Sequence, residues 1–188
     1  MRKRLRFAAL AEALLLTGCA SGAIASAPAR SAPASERSAP ASEPANIMVY
    51  SLNSDGAYFS AIVTGAAGDY GQAVTVDPDG TVDPRHSSDL EFRLASGSFR
   101  LDIARLDRKL VQATSHEPVY PATCTTFVKV TGTAPIVAGS GTGSYRGISG
   151  GFAMTAEVDE VHTKPCQQNL SFVRQVITLT GRGTVSLG

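Results

Sequence analysis

The stretch LEFRLASGSFRLDI, residues 90–103, alternates apolar and polar side chains on both sides of a central glycine. Leu90, Phe92 and Leu94 are at even-numbered positions, and the charged residues between them are at odd-numbered ones. We call this even or odd position in a strand the parity of a residue. Successive side chains of a strand point to opposite faces of a sheet. The alternation therefore predicts two strands with one apolar face each, joined by a turn at Gly97.

The same period of two continues from residue 46 to the C-terminus, with Gly, Asp-Gly and Pro between the segments. The pattern predicts eight to ten short strands, at 47–53, 57–64, 72–77, 90–94, 99–103, 125–132, 134–139, 150–161, 170–179 and 184–187. Only 106–113 is ambiguous between strand and helix. The fold class is therefore all-β, and the one-sided strands favour an antiparallel β-barrel of about eight strands over a sandwich. Such a barrel is either plugged by side chains or holds one small ligand.

Composition excludes several other classes. The 18 Gly and 10 Pro are too many for a helical bundle and show no collagen period. The net charge of +1 argues against a nucleic-acid partner, which would require a strongly basic face. Without the four basic residues of 1–18 and Glu12, the 17 basic and 16 acidic residues become 13 and 15, so the rest of the chain is slightly acidic.

The N-terminus has the order of a bacterial export signal. Four positive charges in MRKRLR precede a ten-residue stretch, 7–16, which is shorter than the ~20 apolar residues of a membrane-spanning helix. The following LTGC resembles the lipobox of bacterial lipoproteins. That resemblance implies a signal peptide over 1–18, diacylation of Cys19 and a lipid anchor on the outer face of the cell membrane. An ordinary secretory signal, cut near Ala23 or Ala27, is the alternative.

Residues 19–45 differ sharply in composition from the rest of the chain. They repeat the unit SAPASE and contain no aromatic side chain. Such a segment cannot bury enough apolar surface to offset the entropy of ordering, so it predicts a disordered Ala/Pro/Ser-rich tether. The β-barrel domain is then expected over 46–188.

The remaining cysteines, Cys124 and Cys166, are expected to form a structural disulfide, because exported proteins are oxidised. A redox or metal pair is less favoured, since neither cysteine is in a Cys-x-x-Cys motif. His86, His116 and His162 lie in polar segments typical of solvated loops, and a shared metal site is the alternative. No metal and no cofactor is predicted.

A glycine-rich segment, AGSGTGSYRGISGGFAMT at 138–155, leads into a strand and not into the helix that a phosphate-binding loop requires. It resembles the Gly-Thr-Gly-x-(Phe/Tyr)-x-Gly-x-x-Gly hairpin of the allene oxide cyclase and dirigent barrel superfamily. The matching positions include Gly141, Gly143, Tyr145, Gly147 and Gly150. The resemblance, with the cysteine pair, is to exported actinobacterial members. It implies an eight-stranded barrel whose apolar pocket acts on or guides small hydrophobic molecules.

No catalytic residue can be carried over, because no acid of this chain aligns with the pocket acids of that superfamily. Arg174 shares a parity with Phe172 and Val176 and would be buried if that face points inward. The other face, with Val173, Ile177 and Leu179, is the favoured inner one.

Two functional hypotheses follow. One is a surface-tethered lipoprotein that binds a small apolar ligand or an envelope partner. The other is a cofactor-free cyclase or isomerase, which a dry pocket above ~300 Å³ with a convergent acid or Arg would favour. A barrel packed solid would instead indicate a protein-interaction module.

Overall fold

The computed structural model describes residues 41–52, 56–84, 87–116, 118–166 and 171–188. These residues form one antiparallel sheet in the order β5-β4-β3-β2-β1-β8-β7-β6. The strands are β1 Glu43–Ser51, β2 Tyr58–Gly65, β3 Asp69–Val76, β4 Asp89–Leu94, β5 Gly97–Asp102, β6 Thr125–Pro135, β7 Ser149–His162 and β8 Phe172–Ser186. The helix α1, Ala104–Thr114, follows β5, and a 3₁₀ turn spans Gly143–Tyr145. The predicted all-β class with eight antiparallel strands is confirmed.

The sheet curls into a half-barrel so that its two edge strands approach each other. Leu101 of β5 and Ile136, just beyond β6, form an isolated antiparallel bridge. Next to this bridge the Val137 N–H donates to the Arg100 carbonyl at 2.9 Å, and the Thr142 N–H donates to the Ser98 carbonyl at 2.8 Å. Curling places the apolar face of every strand on one shared core.

Two pairs of predicted strands are each one continuous strand, which reduces ten expected segments to eight. β6 continues through Gly132, and β8 continues through Gly181. A Cβ on Gly132 would lie 3.3 Å from Leu106 Cδ1, and one on Gly181 would meet the Met154 sulfur and lie 2.8 Å from Ile47 Cγ1. These glycines make room for inward side chains and do not end the strands.

The ambiguous segment is helical. α1 packs against β6, where Leu106 is buried and the Lys109 ammonium donates to the Thr131 carbonyl at 2.8 Å. Among the described residues the two edges of the sheet bridge at Leu101 and Ile136, and α1, which follows β5, packs against the other edge strand, β6.

The sheet begins earlier than the predicted domain boundary at Asn46. β1 starts at Glu43, and Ala45 is only 1% exposed within the core. The last residues assigned to the tether therefore belong to the sheet, because Glu43 and Pro44 pair with β8 and Ala45 pairs with both β2 and β8.

Candidate ligand-binding site

A cavity of about 200 Å³ lies inside one end of the barrel, between α1 and the inner faces of β7 and β8. We call this end the pocket end; it is the end at which β1 finishes and β2 begins. The lining is mainly aliphatic and includes Leu90, Leu106, Leu110, Val158, Ile177 and Leu179. The barrel is therefore not packed solid.

The helix forms one wall of the cavity. Leu106, Leu110 and Thr114 are spaced four residues apart, so they lie on one face of α1, and all three line the cavity. On the opposite wall, Ala156 occupies an inward position of β7 with a short side chain. A short side chain opposite the helix leaves space that larger residues would fill.

The charged groups among the described lining residues are all acidic. Glu160 of β7 and Asp107 of α1 contribute carboxylates, together with uncharged groups such as Gln175. No Lys, Arg or His is among the described residues that line the cavity. The Glu160 side chain is 26% exposed, and its Oε2 accepts a hydrogen bond from Thr126 Oγ1 at 3.4 Å.

The histidines do not come together. His162 ends β7 and is 7% exposed, with Nε2 3.5 Å from Glu160 Oε2 and no hydrogen bond to either ring nitrogen from the described part of the chain. The expectation of a solvated loop was wrong for His162, because the strand extends further than its sequence pattern indicated. His116 is exposed after α1, and His86 lies outside the described residues. Within the described ranges no group of three or more potential metal ligands is found.

The predicted Cys124–Cys166 disulfide is confirmed. The two Cα atoms lie 5.5 Å apart, and the Cys166 N–H donates to Cys124 Sγ at 3.2 Å. The bond links the start of β6 to the segment after β7. It therefore fastens the pocket end, close to His162, whose N–H donates to the Cys124 carbonyl at 2.8 Å.

The glycine-rich hairpin lies at the other end of the barrel, which we call the packed end. Its predicted structural residues Gly141, Gly143, Tyr145, Gly147 and Gly150 are all within or next to the 3₁₀ turn and the start of β7.

The reason for glycine is clearest at Gly143. It has φ +55°, and a Cβ there would meet the Ser96 carbonyl oxygen. Its neighbour across the contact, Gly97, has φ +147° and would meet the Thr142 carbonyl oxygen. The two backbones can approach this closely only without side chains.

Tyr145 joins this hairpin to the core of the packed end. Its ring lies 5.3 Å from that of Phe99, which stacks on Phe92 at 4.9 Å. The Tyr145 hydroxyl donates to Asp69 Oδ2 at 2.7 Å. Burial, together with the Asp69 carboxylate, raises the pKa of Tyr145 well above its usual value.

Asp69 is held by several donors. The N–H groups of Ser96 and Tyr70 donate to it at 3.0 and 2.8 Å, in addition to the Tyr145 hydroxyl. Burial opposes ionisation, but these hydrogen bonds prevail and lower the pKa of Asp69 below its usual value. The group is therefore structural and lies away from the cavity.

Arg174 faces outward and is exposed, whereas Ile177 and Leu179 line the cavity, as the favoured interpretation of this strand predicted. Val173 has the inner parity but is 52% exposed near the start of β8. The arginine is thus no buried charge that would require an anionic ligand.

An apolar patch on the outer face of β1, β2 and β3 was missed by the sequence analysis. Met48, Ile62 and Tyr70 lie opposite one another on the three strands, and each is more than half exposed. The sequence indicates this patch at 47–50 and 61–63, where consecutive residues are all apolar. Because successive side chains of a strand point to opposite faces, these residues cannot all face the core.

Comparison of the chain with protein-family models, with curated proteins and with solved structures finds no match. The resemblance to the allene oxide cyclase and dirigent barrels, and the lipobox at Cys19, stay predictions. Cys19 and the signal 1–18 lie outside the described residues, and no helix within the described ranges is long and apolar enough to cross a membrane.

Proposed function

We propose that this protein is an exported, lipid-anchored binding protein whose barrel holds a small apolar ligand. The observation that carries the proposal is the cavity of about 200 Å³ with its aliphatic lining. A dry cavity of ~150 Å³ is known to accept benzene. The volume therefore suits one aromatic ring or a short alkyl chain, and it is smaller than the ~300 Å³ at which sites for drug-sized molecules begin.

The anchor rests on the N-terminal pattern. The four residues LTGC resemble a lipobox, and the tether that follows separates Cys19 from β1, which begins at Glu43. Two acyl chains hold a protein stably on a membrane, whereas one gives only marginal binding. The barrel would then bind its ligand on the outer side of the membrane.

Ligand binding is tested with toluene, a single-ring probe, followed by NMR of the methyl groups of Ile177, Leu179 and Leu110. We expect shifts in the wild-type protein and their loss in Ala156→Leu, whose added methyl groups fill the cavity. Ala153→Leu is the matched control, because Ala153 is exposed on the opposite face of the same strand. Equal binding by the two variants would contradict the proposal, as would no binding by the wild type.

The anchor is tested by mass spectrometry of the protein isolated from bacterial membranes. We expect a mature chain that begins at an acylated Cys19. The Cys19→Ala variant should be released from the membrane. An unmodified N-terminus beyond Cys19 would contradict the lipoprotein assignment.

A cofactor-free cyclase or isomerase is the second candidate, and the carboxylates of Glu160 and Asp107 favour it. A general acid or base must reach the reacting atom, and both groups line the cavity. If a bound ligand is converted, Glu160→Gln should abolish product formation while binding persists. Product formation at the wild-type rate by this variant would remove Glu160 from the mechanism.

The outer patch favours an envelope partner in addition to the ligand. A photo-crosslinking amino acid at position 62 should trap that partner on intact cells, whereas one at the exposed Thr133 of β6 should not. Equal trapping from both positions would indicate non-specific contact.

A further inference from the structure

We infer that the ligand of the cavity is a small amine: an apolar ring or chain with a cationic head group that donates hydrogen bonds to Glu160. This inference rests on the proposed function and names the chemical class of its ligand. It is drawn from the charges around the cavity and from the way the Glu160 carboxylate is held.

The described lining has an apolar wall and acidic groups but no positive charge. Val158 and Ile177 belong to the wall, and Glu160 follows Val158 at the next inward position of β7. Asp107 lies on α1, across the cavity from the sheet. A ligand whose apolar body contacts the wall therefore has its head near a carboxylate.

The Glu160 carboxylate has an oxygen available to such a head. Its contacts with Thr126 Oγ1, at 3.4 Å, and with His162 Nε2, at 3.5 Å, both involve Oε2. Within the described part of the chain, Oε1 makes no hydrogen bond. Because the side chain is 26% exposed, the carboxylate is partly withdrawn from water, and a ligand that supplies no donor would remove more of its hydration.

The possible head groups of the ligand differ in how strongly they interact with a carboxylate. An ammonium group donates charge-assisted hydrogen bonds to a carboxylate, which are about twice as strong as neutral ones. A hydroxyl donates a weaker bond, and a hydrocarbon donates none. A carboxylate ligand would bring like charges together, which disfavours binding.

The experiment measures the affinities of benzylamine, benzyl alcohol, toluene and benzoate for the purified wild-type protein by calorimetry at pH 7.5. These probes share one ring and differ in the head group. We expect benzylamine to bind at least ~10-fold more tightly than toluene, and benzoate at least ~10-fold more weakly. Glu160→Gln should reduce the preference for benzylamine over toluene to ~3-fold or less while toluene affinity stays the same.

Glu157→Gln is the matched control, since Glu157 is on the same strand but faces outward and pairs with Lys129 at 2.7 Å. The Glu157→Gln variant should bind the four probes in the same order of affinity as the wild type. Toluene that binds as tightly as benzylamine would overturn the inference and leave the proposed function intact, whereas no binding by any probe would overturn both. A preference that survives Glu160→Gln would remove Glu160 as the acceptor and overturn the inference. The probe series on the wild-type protein decides the ligand class even if a variant does not fold.

Discussion

The packed end and the pocket end of the barrel are formed by the same eight strands, yet they are filled by different side chains. At the packed end Phe92 stacks on Phe99 and the tilted ring of Tyr145 contacts Phe99, and the backbones of Gly97 and Gly143 touch there. At the pocket end the cavity lining is mainly aliphatic and includes two carboxylates, and a cavity of about 200 Å³ remains. The difference suits a division in which dense packing stabilises one end and the cavity at the other end carries the proposed binding function.

The two ends are also fastened differently. The packed end is closed by close backbone contact and by the hydrogen bond from Tyr145 to Asp69. The pocket end relies on the Cys124–Cys166 disulfide and on α1. A covalent link and a helix can hold a cavity open, whereas dense side-chain packing would fill it.

Core truncation should have the largest effect, and it should differ between the ends. Phe92→Ala removes a fully buried ring and should lower the free energy of unfolding by about 3–5 kcal/mol. Leu110→Ala, in a half-buried residue beside an existing cavity, should cost only about 1 kcal/mol. Urea unfolding measures both values. Equal losses would mean that the two ends contribute equally to the free energy of unfolding.

Removal of the disulfide should come next. The double variant Cys124→Ser, Cys166→Ser should lose about 2–4 kcal/mol, because the unfolded chain gains the freedom of the loop between them. The loss should raise hydrogen exchange mainly at the start of β6 and the end of β7. Reduced wild-type protein is the control and should show the same loss of stability and the same change in hydrogen exchange as the double variant. Uniform exchange over the whole barrel would contradict a local role at the pocket end.

A methyl group at the glycine contact should cost less than the disulfide. Gly143→Ala should lose about 1–3 kcal/mol, because the positive φ is strained and the Cβ meets the Ser96 carbonyl. Gly139→Ala is the matched control: φ is +75°, but its Cβ would have nothing within 4 Å. Thermal unfolding compares the two. Equal losses would show that backbone strain alone, and not the close approach, is responsible.

The smallest effect should come from Tyr145→Phe, which removes one hydrogen bond to a carboxylate and should cost about 1–2 kcal/mol at neutral pH. The pKa of Asp69 is lower in the folded protein than its ordinary value of 3.8. Its stabilising contribution is therefore present above that pH and is lost as the pH falls through the folded pKa.

The variant should lose part of this acid dependence, so its stability should fall less steeply between about pH 4 and pH 2. Thermal unfolding at several pH values measures the slope. Parallel profiles for the variant and the wild type would show that Tyr145 does not lower the pKa of Asp69. Tyr120→Phe, at an exposed residue, is the control and should follow the wild-type profile.

Part of the cavity lining could be predicted from parity alone. The inward positions Leu90, Ile177 and Leu179 all line the cavity, and the same rule placed Arg174 outside. The cavity itself could not be predicted, because its volume depends on which inward side chains of separate strands face each other. The inward position of Glu160, two residues after Val158, follows from the same alternation, but its place at the cavity depends on the fold and was missed.

The sequence by itself determined the β class, the strand pair around Gly97 and the disulfide, because period-two alternation and an isolated cysteine pair are local or compositional signals. Tertiary structure decided what local patterns leave open. Gly132 looks like the end of a strand but makes room for Leu106, and the segment around Leu106 becomes a helix because that contact buries its side chain. Where a residue's neighbour is distant in sequence, only the folded chain determines its role.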